Sequence, residues 1–386
     1  MIRPRWSKIL SDLWSNKVRS LLVVLSIAIG LFAVGMITSG YYILSTDMGE
    51  SYASVNPANV RVVSDAFDDD FVETIRRMPE IENAEGRRTL VVRLKVGEDE
   101  WISLQLTAIP DFATAGIDQL NLMEGSLVPG DHEVVLDINK LDETNAQLGD
   151  TLVIQLPSGT IREMPVVGIV RSQTIGSGGG TFFTESPQGF ITYESLARLE
   201  QPESYNQLVA TVAEDNRVQS HIEAVTRLVR DQFEQANLQV YQAFSRRSNA
   251  HPNLTYMNAV AGVLFLLGLL VVFLSGFLIT NTLTALFSQQ IQQIGIMKST
   301  GARRQQIIVM YIAFILAFGL LAFLLAVPAS FWVSYVLAEI LADLLNFNLL
   351  GFRLTPLVVY LEIAIALIVP PLAGLVPVLN GSRISV

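Results

Sequence analysis

Long apolar runs alternate with polar segments along the chain, and this pattern predicts its helices. Four runs reach the roughly 20 apolar residues that a helix needs to cross a hydrocarbon core of about 30 Å. They cover residues 21–44, 257–287, 307–336 and 356–378, and the first three contain no Asp, Glu, Lys or Arg. Because backbone amides in lipid have no water to bond, each run is predicted to be a transmembrane helix.

The segment ahead of the first run, residues 1–20, places apolar side chains at spacings of three and four with Lys and Arg between them. With Trp6 and Trp14 as aromatic anchors, this pattern predicts an amphipathic helix lying on the membrane surface. A simple extension of the first span is the alternative. A cleaved signal peptide is disfavoured because its apolar core is usually about 7–15 residues and ends at a small-residue site.

Residues 45–256 have the shorter periodicities of a soluble α+β domain. Strand, helix and strand patterns occur at both ends, whereas the middle is rich in short strands. We therefore expect one subdomain built from residues 45–111 and 201–256, with a second lobe, residues 112–200, inserted between them. The predicted elements are strands at 59–64 and 205–213, helices at 67–78 and 217–236, a hairpin around Gly97 and a closing strand LQVYQAF.

Charge gives the expected orientation. The chain has a formal net charge of -10, yet residues 1–20 hold five bases and one acid, and residues 288–306 hold three bases and no acid. By the positive-inside rule both segments are expected to be cytoplasmic. With four spans, the C-terminal residues 379–386 would also be cytoplasmic. The domain at 45–256 and a short segment at 337–355 would then lie outside.

Composition supports a membrane protein and excludes some chemistry. The mean hydropathy is +0.42, only 16% of residues are charged, and the chain contains no cysteine, so disulfides and thiolate sites are excluded. Asp68, Asp69 and Asp70 could bind calcium, but EF-hand spacing is missing and a helix start explains them better. His132, His221 and His251 are isolated, which disfavours metal binding.

Two further features have competing interpretations. GSGGG at 176–180 lacks the following Lys-Ser or Lys-Thr of a phosphate loop, which favours a flexible loop tip. Glu362 is the acidic residue within the fourth run. Since it is expected near the outer interface, where water or headgroups can reach it, an interfacial or helix-pairing role is favoured over proton coupling. Gly, Ser and Thr in SGFLITNTLTA predict close helix contact in the second span.

The basic island between the second and third runs reads IQQIGIMKSTGARRQQI. As a short amphipathic helix it places Ile291, Ile294 and Met297 on one stripe, with Gly301 able to end the helix. Such a helix suits docking into a groove on a partner. GIMKSTG does not satisfy G-x-x-x-x-G-K-[ST] and no strand precedes it, so the chain is predicted not to hydrolyse ATP.

Three pieces of sequence resemble one family, the FtsX-like, macrolide-exporter-type (MacB-like, type VII) permeases of ABC transporters. LSDLWSNKVRSLLVVLSIAIG resembles the family's amphipathic helix, Asn-Lys-x-Arg-Ser and Ile-x-Ile-Gly span. QQIQQIGIMKSTGARRQQI is similar to its Arg-x-x-Glu-Ile-Gly-Ile-x-Lys-Ala-x-Gly-Ala loop, and PVLNGSRISV to its Pro-x-x-x-x-x-Arg end. Gln290 and Gln293 depart from the Arg and Glu of the loop motif, which places charge pairing at those two positions in doubt.

The resemblance implies a non-catalytic permease of the mechanotransmission type in the plasma (inner) membrane of a bacterium or archaeon. A cytoplasmic ABC ATPase dimer would bind ATP and Mg, and this chain would hold no cofactor of its own. The external domain would have porter and sabre lobes and could meet an extracytoplasmic partner. The exported or extracted substrate would be a lipid, lipoprotein, peptide or drug-like molecule. The implied ATPase-coupling residues are Ile291, Ile294, Met297, Lys298, Gly301 and Arg303.

Alternatives remain for both assembly and function. Because the sequence stops at Val386, soon after the last motif, we expect the first half of a double-length permease, or a chain with a separately encoded second half, over a homodimer. An FtsX-like regulator of a cell-wall hydrolase is one alternative function. A membrane-anchored sensor without an ATPase is another, although it would not need a docking helix.

Overall fold

The computed structural model describes residues 17–174 and 186–382. Most of the predicted surface helix (residues 1–16), the loop tip at 176–180 and the last four residues lie outside these ranges. The described chain forms two compact units. One, here called the helical unit, contains residues 17–45, 256–341 and 351–382, and the other, the globular unit, contains residues 46–255 and 342–350.

The secondary structure follows the predicted order closely. In the described residues the elements are α1 (Lys17–Ser54), β1 (Val60–Phe67), α2 (Asp69–Arg76), β2 (Ile81–Lys95), β3 (Trp101–Ile109), β4 (Asn121–Gly125), β5 (Val134–Asp137), α3 (Leu141–Thr144), β6 (Thr151–Gln155), β7 (Ile161–Arg171), β8 (Gln188–Thr192), α4 (Ser195–Arg198), β9 (Tyr205–Val212), α5 (Gln219–Gln235), β10 (Val240–Ser245), α6 (Leu254–Ser299), α7 (Arg304–Leu345) and α8 (Pro356–Ser382).

The long helices confirm the expected membrane architecture. Within the described ranges, four helical segments are long and apolar enough to cross a bilayer. Helix α6 runs without a break from the second apolar run into the basic island, where it ends at Ser299, and α7 continues to Leu345. The four segments are Ser20–Ser54, Leu254–Ala285, Arg304–Leu345 and Pro356–Leu379.

Small residues let the helices of the helical unit approach closely, and the sequence predicted this only for the second span, which contains Thr280. A Cβ placed on Gly319 of α7 would lie 2.4 Å from the carbonyl oxygen of Ala366 on α8. The hydroxyl of Thr280 in α6 donates to the Ala373 carbonyl oxygen of α8 at 3.0 Å. Contacts of this kind replace hydrophobic driving force, which lipid does not supply between apolar helices.

Glu362 is completely buried among these helices, at 0% exposure. The Ser330 hydroxyl of α7 donates a hydrogen bond of 2.9 Å to its Oε1 atom. Gly35 of α1 faces the same carboxyl group, which leaves no space for a side chain at position 35. The expectation that water or headgroups reach Glu362 is therefore wrong, because three helices enclose it. The geometry favours the helix-pairing alternative.

The globular unit is built on one mixed sheet. In the described part of the chain this sheet has ten strands in the order β10-β1-β9-β2-β3-β8-β5-β7-β4, with β6 paired to β2 and β7. The predicted hairpin around Gly97 is formed by β2 and β3, whose register pairs Lys95 with Trp101. Asp68 caps α2 by accepting from the Phe71 backbone at 3.1 Å, which confirms the helix start.

The two larger hydrophobic cores of the globular unit lie along this sheet. The first is covered by α2 and α5 and contains Val62, Ile75 and Phe233. The second contains Leu104 and Ile191. Strand β2 contributes to both, with Ala84 in the first core and Leu90, Val92 and Leu94 in the second. The two lobes therefore meet within β2, because this strand is long enough to contribute side chains to both cores. The sequence predicted the first boundary between the lobes at residues 111 and 112.

A buried ionic cluster joins the strands of the first lobe to the loop after β3. Asp118 accepts from Arg61 and, at 3.3 Å, from Arg87. Burial alone would raise the pKa of Asp118, but the two guanidinium groups hold it below its ordinary value. A charge that is removed from water must be paired in this way. Loss of one partner leaves the other charge buried and uncompensated, which strongly destabilises the fold.

Gly319→Ala should destabilise the helical unit, because the added methyl group must push α7 away from the α8 backbone. Overpacking of this kind costs about 1–3 kcal/mol. Gly262→Ala on α6 is the control, since a Cβ there meets no atom within 4 Å. Thermal unfolding of the full chain in detergent, followed by tryptophan fluorescence, should show a lower Tm for Gly319→Ala alone. Equal Tm values for both variants would contradict the close contact.

Candidate functional site

The basic island forms a tight turn between two long helices. Helix α6 ends at Ser299, and Gly301 follows in the left-handed region with φ of +96°. The Gly301 amide donates to the Lys298 carbonyl at 3.0 Å, and the Ala302 amide donates to the Met297 carbonyl at 2.9 Å. These two bonds form a Schellman motif, in which glycine is strongly favoured at the left-handed position.

The next helix starts directly after this turn. The Arg303 amide donates to the side-chain oxygen of Gln306 at 3.2 Å, and the Gln306 amide donates back to the Arg303 carbonyl at 2.9 Å. This reciprocal pair satisfies amides at the start of α7, as a capping box does. Residues 291–307 therefore form a compact helical hairpin, and they are called the coupling hairpin below.

The expectation of a separate short helix at 291–299 is corrected by this geometry. These residues are the last turns of α6, a single helix of 46 residues. The physical reason is local, since SQQIQQIGIMKS contains no proline and a helix interior tolerates a single glycine. The amphipathic pattern was recognised correctly, but the continuity of the helix was not.

The structure separates the predicted coupling residues into inward and outward positions. Ile294 is only 1% exposed and packs in a core that also contains Ile307 and Tyr311. Met297 is partly buried against the same core, so this stripe holds the hairpin together. The side chain of Ile291 lies outside the described part of the structure. Outward positions are Gly301 and Arg303, which are exposed, and Lys298, which is partly exposed.

Sequence reasoning missed the apolar side chain that the hairpin exposes. Ile296 is 59% exposed and lies one turn before the glycine of the Schellman motif. The spacing of three residues predicted an apolar stripe of Ile291, Ile294 and Met297 and gave no role to Ile296. The burial of Ile307 on α7 decides which face of α6 is internal, and this information comes only from packing between the two helices.

A second polar arrangement lies in the globular unit and was not predicted. Residues 342–350 comprise the last four residues of α7 and the first five residues of the segment that leads to α8, and they are called the strap below. The sequence described residues 337–355 only as a short external segment. Asn346 ends α7 with a positive φ of +61°, and the Phe347 amide donates back to the Ala342 carbonyl at 3.0 Å. Phe347 is fully buried, with its ring 6.4 Å from that of His251.

Arg171, at the end of β7, makes three hydrogen bonds with the strap. Its Nη1 atom donates to the Phe347 carbonyl and to the Asn348 side-chain oxygen, both at 3.2 Å. Its Nη2 atom donates to Asp343 Oδ1 at 3.1 Å. The guanidinium therefore contacts three strap residues.

Neighbouring residues complete the attachment of the strap. The Asn346 side-chain amide donates to the Ser172 carbonyl. The Asn348 amide donates to Ser51 Oγ at 3.0 Å, and Ser51 in turn donates to the Gln173 side-chain oxygen at 2.9 Å. The only sequence signal for this network was the pair of asparagines in NFNLLG, polar residues placed between two apolar spans.

One of the three histidines, His251, lies in a buried aromatic environment. His251 is buried between Tyr52 and Phe347, and its Nδ1 atom accepts from the Asn253 amide at 3.1 Å. Burial, together with the charge of Arg246, lowers the pKa of His251 to about 3. Among the described residues, no group of three or more His, Cys, Asp or Glu side chains could hold a metal ion.

Four spanning helices, a sheet-based domain inserted after the first and a tight hairpin between the second and third define a multi-pass permease. Residues 20–228, more than half of the chain, match the family model of the MacB-like periplasmic core domain. Residues 265–386 match that of the FtsX-like permease C-terminal region. The chain belongs to the MacB/FtsX-type family of ABC transporter permeases, and the globular unit is its extracytoplasmic domain.

Solved structures resemble parts of this chain at low identity. The periplasmic region of MacB from Actinobacillus actinomycetemcomitans is 15% identical, with 49% of this chain and 91% of that chain covered and a TM-score of 0.33. The extracellular domain of the noncanonic ABC-type transporter YknZ from Gram-positive bacteria is 11% identical, with 48% and 100% covered and a TM-score of 0.33. No curated protein matches significantly.

The stability of the protein should depend on His251 below neutral pH. Its pKa in the folded state is about 3, against about 6.5 when unfolded, so its contribution is complete above pH 6.5 and is lost as the pH falls toward 3. At pH 5 this loss amounts to about 2 kcal/mol. His251→Asn preserves an acceptor for the Asn253 amide but does not titrate.

The measurement is the change in Tm of the full chain in detergent between pH 7 and pH 5. The change should be larger for the wild type than for His251→Asn. His221→Asn is the control, because His221 lies partly exposed on α5 and away from this aromatic cluster. An identical pH response in wild type and His251→Asn would contradict a neutral buried histidine.

Proposed function

We propose that this chain is the permease subunit of a mechanotransmission-type ABC transporter. ATP hydrolysis by a separate cytoplasmic ATPase would move the extracytoplasmic domain and drive export or extraction of a substrate. The coupling hairpin is the observation that carries this proposal. It is compact and rich in basic residues, and among its described side chains it exposes the large apolar side chain of Ile296. A helix end with these properties suits docking into a groove on a partner.

The proposed docking surface consists of the outward residues of the hairpin. Ile296 would fill a pocket on the ATPase, because large apolar side chains near the centre of an interface provide most of its binding energy. Lys298 and Arg303 would meet acidic groups at the rim. Ile294 and Met297 would act indirectly by holding α6 against α7, and Gly301 by forming the turn.

Partners and cofactors follow from this arrangement. An ABC ATPase dimer would bind ATP and Mg, and the permease would hold neither. Two hairpins would be needed for two ATPase subunits, so a second permease copy or a second permease half completes the assembly. Lipid, lipoprotein, peptide and drug-like molecules are all compatible substrates of a domain that acts outside the bilayer.

Ile296→Asp should abolish assembly with the ATPase while the permease still folds. Placing a carboxylate in an apolar pocket costs about 2 kcal/mol or more, which is at least about a 30-fold loss in affinity. The test is co-purification of the tagged permease with its ABC ATPase. Ile161→Asp is a matched control, since Ile161 is 54% exposed on β7 in the other unit. Recovery of the ATPase with Ile296→Asp at the wild-type ratio would contradict the docking surface.

The proposed orientation places the coupling hairpin in the cytoplasm and the sheet domain outside. It is supported by the excess of basic residues at 1–20 and 288–306. Because the chain has no cysteine, single cysteines can be labelled without background. A membrane-impermeant maleimide added to intact cells should label Ser158→Cys, in the exposed turn before β7, and should not label Ser299→Cys. The reverse result would overturn the orientation.

A further inference from the structure

The strap has an unusual position in the chain. It contains the last four residues of α7 and ends five residues before α8, yet it packs as part of the globular unit. It contains only nine residues, so any displacement of either helix end is passed to it over a short length of chain.

Three consecutive residues of the globular unit, Arg171, Ser172 and Gln173, connect the strap to the sheet. Further contacts come from Asp47, which accepts from the Leu350 amide at 3.1 Å, and from Asn253, whose side-chain amide donates to the Leu345 carbonyl at 3.4 Å. Arg171 donates three hydrogen bonds to the strap, and Ser172 accepts one from Asn346. Gln173 is linked to the strap through the hydroxyl of Ser51 in the outer end of α1. All three residues directly follow or end β7, so the strap is attached at one point of the sheet.

This attachment is continuous with the hydrogen bonds of the inserted lobe. The Ser172 amide donates to Asp137 Oδ2 at 2.7 Å, and Asp137 is the last residue of β5. Strand β7 pairs with β4, β5 and β6. A displacement of residues 171–173 would therefore be transferred from β7 to three neighbouring strands through backbone hydrogen bonds.

The attachment is buried on the side of the globular unit, whereas the Asp343 side chain on the strap is 74% exposed. Arg171, Ser172 and Asn346 are each less than a tenth exposed. A buried guanidinium or amide that loses its acceptor has no water to replace it, so opening the joint is strongly unfavourable. A solvent-exposed ion pair would instead break and reform freely.

From this geometry we propose that the strap is the joint through which α7 and α8 move the inserted lobe, with Arg171 as the residue that fastens it. The inference rests on the proposed function, since it identifies where motion started at the coupling hairpin reaches the extracytoplasmic domain. It also assigns β7, and not the helix-covered first lobe, as the strand that receives the displacement.

The test is hydrogen–deuterium exchange of the permease and its ABC ATPase in nanodiscs, without nucleotide and after trapping with ATP and vanadate. In the wild type, trapping should change exchange in peptides covering residues 161–171. Arg171→Gln should reduce this change at least threefold while ATPase recovery and hydrolysis stay within twofold of wild type. Arg162→Gln is the control, because Arg162 lies on the same strand and contacts Arg198 and Glu200 instead.

Asn346→Gly is a second variant, which keeps the inference testable if Arg171→Gln does not fold. Glycine accepts the positive φ at this position, so only the side-chain bond to Ser172 is removed. A reduced nucleotide-dependent change in either folded variant supports the joint, because loosening alone would raise exchange equally in both nucleotide states. An unreduced change in both variants overturns it.

The wild-type result separates this inference from the proposed function. If trapping alters exchange elsewhere in the extracytoplasmic domain, for example in α5, but not in residues 161–171, the joint is wrong and the proposed function stands. If an assembled, hydrolysing complex shows no change anywhere in the domain, the proposed function fails and the inference fails with it.

Discussion

Close approach of helix backbones is the interaction on which the membrane-spanning part depends. Lipid is as apolar as leucine, so apolar side chains gain little by leaving it, and contact must come from small residues and hydrogen bonds. Gly319 against the Ala366 carbonyl and Thr280 bonded to the Ala373 carbonyl provide this contact. The carboxyl group of Glu362 is also held by a hydrogen bond and a small residue. It can be buried between the helices because Ser330 donates to it and Gly35 leaves space for it.

The sequence was sufficient for the architecture because the decisive signals are local. Run length predicts the spans, and alternation with turn residues predicts β1, β9, α5 and the hairpin of β2 and β3. Family motifs led to the permease assignment. Each of these signals is contained in a short window, so none requires knowledge of which segments meet in space.

The structural features that the sequence did not predict depend on packing between distant segments. Ile294 and Ile296 are two positions apart, and the first is internal because it packs in the core that also contains Ile307 of α7. Arg171 and Asn346 are far apart in sequence, so their shared role has no local pattern. Glu362 was misplaced for the same reason, because its burial depends on α1 and α7 as much as on α8.

Strand β2 has a consequence for how this domain can diverge. Gly86, Leu90, Val92 and Leu94 all face the same side of one strand, where Gly86 lies under the ring of Tyr205 and the others fill the second core. Side chains alternate with a period of two, so adding or deleting one residue between Gly86 and Leu90 would turn the later leucines toward the opposite surface. We therefore expect homologous domains to differ in length in their loops, and not by a single residue within this strand.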